Sequence, residues 1–286
     1  MVIWKLILIF SFHSMIIRSF AKINLGLEIG KKRDDSFHSL DMVAQSVSLC
    51  DYVSFYKVKG VGIDVTCNKN VCEKKSNLAY KAAKMLFDLV NPDFGVKIDI
   101  IKNIPVGAGL GGGSSNAAAV ICGLNGIFKM HLSIEEIVNL ALKIGSDVPL
   151  CFFGGTLQCQ GRGEILTKLD GFPDCKILVK NGKNKNITSR SYELFDKLTV
   201  NEESNEKNDR IRILKESLKS GDIKKISNSC FNDFEKVYKV ENGWHLTGSG
   251  SSCFKIVDKD FDISDENLIV CSPVDCGLKI IDDRWD

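Results

Sequence analysis

Residues 105–116 read Pro-Val-Gly-Ala-Gly-Leu-Gly-Gly-Gly-Ser-Ser-Asn, and the reading of this run decides the fold. Upstream, VKIDIIKNIP (96–105) predicts a strand ended by Pro105, and downstream SSNAAAVICGLNGIF (114–128) predicts a buried helix, so the run joins a strand to a helix N-terminus. Gly107, Gly109 and Gly112 fit the dinucleotide spacing G-x-G-x-x-G. A dinucleotide unit needs a second apolar strand ending in an acid about 20 residues on, whereas here KMHLSIEEI (129–137) turns into another helix. No Gly-Lys-Ser/Thr follows the glycines, which excludes a Walker loop. Five glycines beside Ser114 and Ser115 remain, at a helix N-terminus whose backbone N–H groups and dipole favour an anion. The plainer alternative is a glycine run needed only for tight strand-helix packing, which seldom requires five glycines beside two hydroxyls.

Outward from that run, SNLAYKAAKMLFDLV (76–90) puts Leu78, Ala82, Leu86 and Leu89 on one helical face, with Ser76 or Asn77 suited to cap it. SIEEIVNLALKIG (133–145) carries a capping box in Ser133 and Glu136 and stops at Gly145, which leaves GSDVP (145–149) on the loop beyond. Partial alternation predicts a half-buried strand over 16–29 and another over 42–49, separated by the charged turn KKRDDS (31–36). CKILVK (175–180) opens a second unit, placing a boundary near 172. That unit holds a charge-rich helical stretch (199–226), a hairpin from Trp244 to Val257 and two short strands near 267–281. Helices and strands mix without strict alternation, so the class is α+β.

The 286 residues suffice for two packed domains, and 44% hydrophobic with 26% charged residues is globular composition. With 38 basic against 36 acidic residues there is no field to attract nucleic acid or anionic lipid, so a small ligand is expected. Eleven cysteines with no C-x-x-C pair fit neither a disulfide framework nor a zinc site, and predict reduced thiols in a cytoplasmic protein. The apolar run after Lys5 is shorter than the ~20 residues that a membrane-spanning helix needs. It resembles a signal peptide, but cleavage after Ala21 would remove the strand discussed next. Residues 1–14 therefore read as an N-terminal extension and 15–172 as the first domain, with 173–286 as the second.

Three motifs in order resemble one family. SFAKINLGLEI (19–29), PVGAGLGGGSSNAA (105–118) and WHLTGSGSSCF (244–254), supported by GSDVPLCFFGG (145–155) and GRGEILTKL (161–169), are similar to those of the 4-diphosphocytidyl-2-C-methyl-D-erythritol kinases, a branch of the GHMP kinases. The resemblance implies a two-domain GHMP kinase fold, with a ribosomal-S5-domain-2-like N-terminal unit and a ferredoxin-like C-terminal unit. It implies ATP as co-substrate, Mg²⁺ with the ATP, a cytidine-diphosphate acceptor and a place in isoprenoid biosynthesis, with no nucleic acid or membrane partner. Monomer and dimer both stay open, as do another GHMP kinase activity (homoserine, mevalonate or a sugar) and a non-catalytic nucleotide-binding relative.

By that resemblance Lys22 and Asp147 are the catalytic pair, expected within salt-bridge reach, and without it a solvated strand lysine and a capping aspartate are the plainer readings. ATP would be held by Pro105, Val106, Gly107, Ala108, Gly109, Leu110, Gly111, Gly112, Gly113, Ser114 and Ser115, with Asn77 at the adenine pocket or as a simple cap. Ser115 is a candidate direct or water-mediated Mg²⁺ ligand, and no protein metal site is expected. Phe37 and His38 stand where the family has a Tyr-His pair around cytosine. Stacking survives that replacement, a hydroxyl contact does not, and a solvated turn histidine is the plainer reading. Asn24, on the same strand face as Lys22, is a candidate for substrate hydroxyls. Ser189 and Tyr192, within NITSRSYELF (186–195), are candidates on the substrate side. TGSGSS (247–252) reads as a second small-residue loop near substrate or as an ordinary hairpin turn.

Overall fold

The computed structural model describes residues 14–34, 37–69, 76–182, 188–199 and 209–285. Two strands carry the larger sheet: β1 (Ser14–Lys32) and β2 (His38–Val58) run antiparallel along nearly their whole lengths. The free side of β2 takes β5 (Thr156–Gly161) at one end and β4 (Gly95–Ile101) at the other. β3 (Gly62–Cys67) lies parallel to β4, and β6 (Ile165–Lys168) pairs with β5. The smaller sheet is antiparallel and made of β7 (Lys176–Lys180), β9 (His245–Leu246), β10 (Cys253–Val257) and β11 (Ile269–Cys271).

The strand predicted over 16–29 is longer than expected and is not half-buried, since every residue from Phe20 to Leu27 is buried. Its two faces are covered by different things. Ala21, Ile23 and Leu25 join a core with Ile177 and Val179 of β7 and Phe254 of β10, while Lys22 and Asn24 point to a cleft under the glycine run. Register shifts at Phe20/Ala21 and Asn24/Gly26 bracket Lys22, and such bulges re-aim side chains.

Helices α1 (Leu78–Val90), α2 (Gly112–Ile127) and α3 (Ile134–Ile144) share a second core with Val53, Phe55 and Ile98 of the large sheet. Asn77 caps α1 by accepting from Ala79 N at 2.9 Å, and Ser133 and Glu136 form the capping box of α3. GSDVP is only partly a loop: Asp147 is the N-cap residue of a short α4 (Val148–Phe153), because Pro149 in its first turn needs no intrahelical partner.

Beyond 172 come α5 (Thr188–Thr199), α6 (Arg210–Ser220), α7 (Ile223–Ser229) and a 3₁₀ turn at Asp233–Lys236. The hairpin around 247–252 forms between β9 and β10. Two later strands return to the large sheet: β8 (Phe231–Asn232) pairs with β1 in parallel and β12 (Leu278–Arg284) pairs antiparallel with it, so strand pairing crosses the division near 172. Among the described residues no helix is long and apolar enough to cross a membrane.

Candidate active site

Two cavities meet at the glycine run. The larger, about 610 Å³, is walled by Lys22 and Asn24 of β1, Asp147, and residues of α5. The smaller, about 390 Å³, follows the run itself from Pro105 to Ser114 and reaches Ser76 and Asn77 at the start of α1. Gly109, Gly111, Ser114 and Thr188 border both.

The run is shaped by what leans on it. A β-carbon on Gly109, where φ is +79°, would sit 2.2 Å from the Thr247 carbonyl oxygen, and one on Gly111 would sit 2.9 Å from Lys22 Cγ. The Thr247 hydroxyl accepts from Asn24 N at 3.2 Å and donates to the Gly109 carbonyl at 3.3 Å, tying the first, second and third motifs together. Gly111 caps α2 with no side-chain hydrogen bond. The N–H groups of the first turn of this helix are thus left toward the smaller cavity, with the positive end of the dipole behind them.

Ser114 lies at the junction of the cavities, but Ser115 does not. It is fully buried and its hydroxyl donates to the Phe20 carbonyl at 2.7 Å. The expectation that Ser115 contacts nucleotide or metal is therefore corrected: it pins α2 to β1. Ala108 and Leu110 likewise bury their side chains and border the smaller cavity as part of the run.

Lys22 and Asp147 come together. Lys22 is 4% exposed and its Nζ is 3.5 Å from Asp147 Oδ2, with Asp147 36% exposed to the cleft. Burying an ammonium demands compensation, which Asn24 completes: its Oδ1 accepts from Lys22 Nζ at 2.6 Å and from Gly248 N at 2.9 Å, while its Nδ2 points to Met42 Sδ at 3.3 Å. Asn24 is wholly buried with both polar atoms engaged. It holds Lys22 in place from a position that borders the larger cavity.

At the far end of the larger cavity, Phe37 is half exposed and the Arg162 guanidinium lies 4.2 Å over its ring. His38 is stacked on Tyr192 of α5, with centroids 5.2 Å apart and an interplanar angle of 14°. Burial, and secondarily the charge of Asp147, push the Tyr192 phenol well above its usual range. Ser189 borders the same cavity.

Sequence reasoning missed a buried cluster below the smaller cavity. Lys102 is 4% exposed and pairs with the fully buried Asp51, and also donates to Asn116 Oδ1 at 2.9 Å. Asp51 Oδ1 in turn accepts from Asn103 N and Ile104 N at 2.7 and 2.8 Å, fixing the backbone that leads into the glycines. Lys102 Nζ would be 3.0 Å from a β-carbon on Gly112, so its charge sits under the first turn of α2. The only signal was a lysine three residues before Pro105, which reads as a strand end. Arg162 lay inside a quoted motif, but nothing in its spacing pointed to Phe37.

The chain matches the family model described as the GHMP kinases N terminal domain over residues 77–155. It is 38% identical over 263 residues to a 4-diphosphocytidyl-2-C-methyl-D-erythritol kinase of Clostridium botulinum, covering 85% of this chain and 91% of that protein. A protein of the same name from Caldicellulosiruptor saccharolyticus is 37% identical over 265 residues, covering 87% and 90%. Among solved structures, a 4-(cytidine 5'-diphospho)-2C-methyl-D-erythritol kinase superposes with a TM-score of 0.69 at 28% identity, covering 84% of this chain and 89% of that one. A homoserine kinase from Cytophaga hutchinsonii, at 15% identity and a TM-score of 0.68, covers 94% and 97% and shares the fold. With the motifs, the fold and relatives of this identity over most of the chain in agreement, the protein belongs to the 4-diphosphocytidyl-2-C-methyl-D-erythritol kinase family of the GHMP kinases.

Proposed function

We propose that the protein transfers the γ-phosphate of ATP to the 2-hydroxyl of 4-diphosphocytidyl-2-C-methyl-D-erythritol, giving the 2-phosphate and ADP, in isoprenoid precursor biosynthesis. The observation that carries this is the Lys22–Asp147 pair at 3.5 Å in the larger of two cavities that meet at the glycine run. The nucleotide occupies the smaller cavity, with its phosphates on the N-terminus of α2 and its base toward Asn77. The acceptor lies in the larger cavity with its base at Phe37 and His38. Asp147 accepts the proton of the attacking hydroxyl, a role worth about 10²–10⁴ in rate for a positioned base. Lys22 pairs with that carboxylate at 3.5 Å and offsets charge shared in the transfer.

Mg²⁺ travels with ATP, keeps several waters and needs few protein ligands. Ser114, at the junction of the two cavities, suits one such contact through its hydroxyl. When bound, the ion neutralises phosphate charge. Lys32 and Arg162 border the acceptor cavity and suit the acceptor's diphosphate.

The test is ADP release with ATP, Mg²⁺ and the cytidine-bearing acceptor beside homoserine, mevalonate and galactose. Turnover confined to the cytidine-bearing acceptor supports the reading. Turnover of another acceptor removes the cytidine pocket and keeps the kinase, and ATP binding without ADP formation removes the enzyme.

A further inference from the structure

We propose that Asp196 is a specificity-determining residue whose carboxylate reads the amino group of the cytosine ring. This rests on the assignment of the acceptor's base to the Phe37–His38 end of the cleft. Asp196 is one helical turn beyond Tyr192 on α5, so the two side chains share a face, and both border the larger cavity. The carboxylate is held from two sides, with Oδ1 3.0 Å from His38 Nε2 and Oδ2 3.8 Å from Lys32 Nζ. His38 is itself fixed: Nδ1 lies 3.0 Å from the Gly30 carbonyl, and Tyr192 covers one ring face.

The contact between His38 Nε2 and Asp196 is close but is not an aligned hydrogen bond. Asp196 is 36% exposed and borders the larger cavity, which leaves its carboxylate capacity to accept from a ligand there. An ionised carboxylate only accepts hydrogen bonds. Cytosine offers an exocyclic amino group, a donor that aspartate accepts from in other base-reading sites. Uracil offers a carbonyl oxygen at the same position, and two acceptors facing each other repel. Asp196 therefore favours cytosine by attraction and disfavours uracil by repulsion, which stacking on Phe37 cannot do, because every pyrimidine has a π-face.

The experiment is calorimetric titration of the full chain with cytidine monophosphate and uridine monophosphate, in wild type, Asp196→Ala and Asp196→Asn, each checked by thermal melting. Wild type favours cytidine monophosphate. Asp196→Ala loses about tenfold in affinity for it and none for the uridine nucleotide, so the preference collapses. Asp196→Asn, which keeps one accepting oxygen, falls between, and it carries the test if the alanine variant does not fold. An unchanged preference in the variants, or equal tightening of both nucleotides, overturns the proposal and leaves Asp196 as a clasp on His38. A wild type that binds neither nucleotide and turns over no cytidine-bearing acceptor overturns the assignment of the base site as well.

Discussion

Ser114 and Ser115 are neighbours in sequence and have opposite fates, because successive helical residues point about 100° apart. Ser114 faces the junction of the cavities and Ser115 faces β1. Ser115→Ala is expected to lower stability by roughly 1–3 kcal/mol, leaving the Phe20 carbonyl unpaired, with KM for ATP unchanged. Ser114→Ala is expected to raise KM for ATP with little change in melting temperature. Calorimetric melting and steady-state kinetics on the two variants check the pair. Asp147→Asn keeps the shape of the group, removes the base and weakens the pairing with Lys22. A fall in kcat of about 10²-fold or more with a native melting curve is expected, and near wild-type turnover would remove the base assignment. Residue types were readable from the motifs, but side-chain direction was not. Ser115 was for that reason assigned to ligand when its hydroxyl is turned onto β1.

Among elements, the contact between the glycine run and the 247–250 loop joins the first unit to the second. Gly109→Ala would force a β-carbon onto the Thr247 carbonyl at a backbone angle that costs other residues roughly 1–3 kcal/mol. Loss of ATP affinity together with a lowered melting temperature is expected, measured by nucleotide titration and thermal unfolding. A variant with native ATP affinity would show that the loop yields freely. Long periodic elements were legible: α1 to α3 and the β9–β10 hairpin stand where capping residues and alternation put them. Short α4 was not, since six residues are too few for a helical period to show. The burial of β1 on both faces was also hidden, because what covers its second face comes from residues far along the chain.

For the whole molecule, burial of free thiols is expected to lower stability at alkaline pH. Burial pushes Cys159 and Cys175 up to about 12 and Cys271 up to about 11, from an ordinary value of 9.0. Below pH about 9 folded and unfolded chains both hold these protons, so the thiols add no pH dependence. Above it the unfolded chain releases them first, and stability falls by up to about 1.4 kcal/mol per pH unit for each thiol until the folded form ionises too. Melting temperature is therefore expected to drop steeply between pH 9 and 11, a loss that replacing Cys159 and Cys175 by alanine would lessen while lowering stability at neutral pH. Fold class and the order of the motifs were readable at this scale, whereas the crossing of the boundary near 172 was not, because strand pairing between distant segments leaves no local pattern.

The pairing of β12 with β1 has a consequence for how the chain is made. On the ribosome, the segment that holds Lys22 emerges long before the neighbour that closes its outer edge. Until then that edge offers unpaired backbone groups to any other strand, so the strand that carries Lys22 is the place where a stalled or truncated nascent chain would need a chaperone.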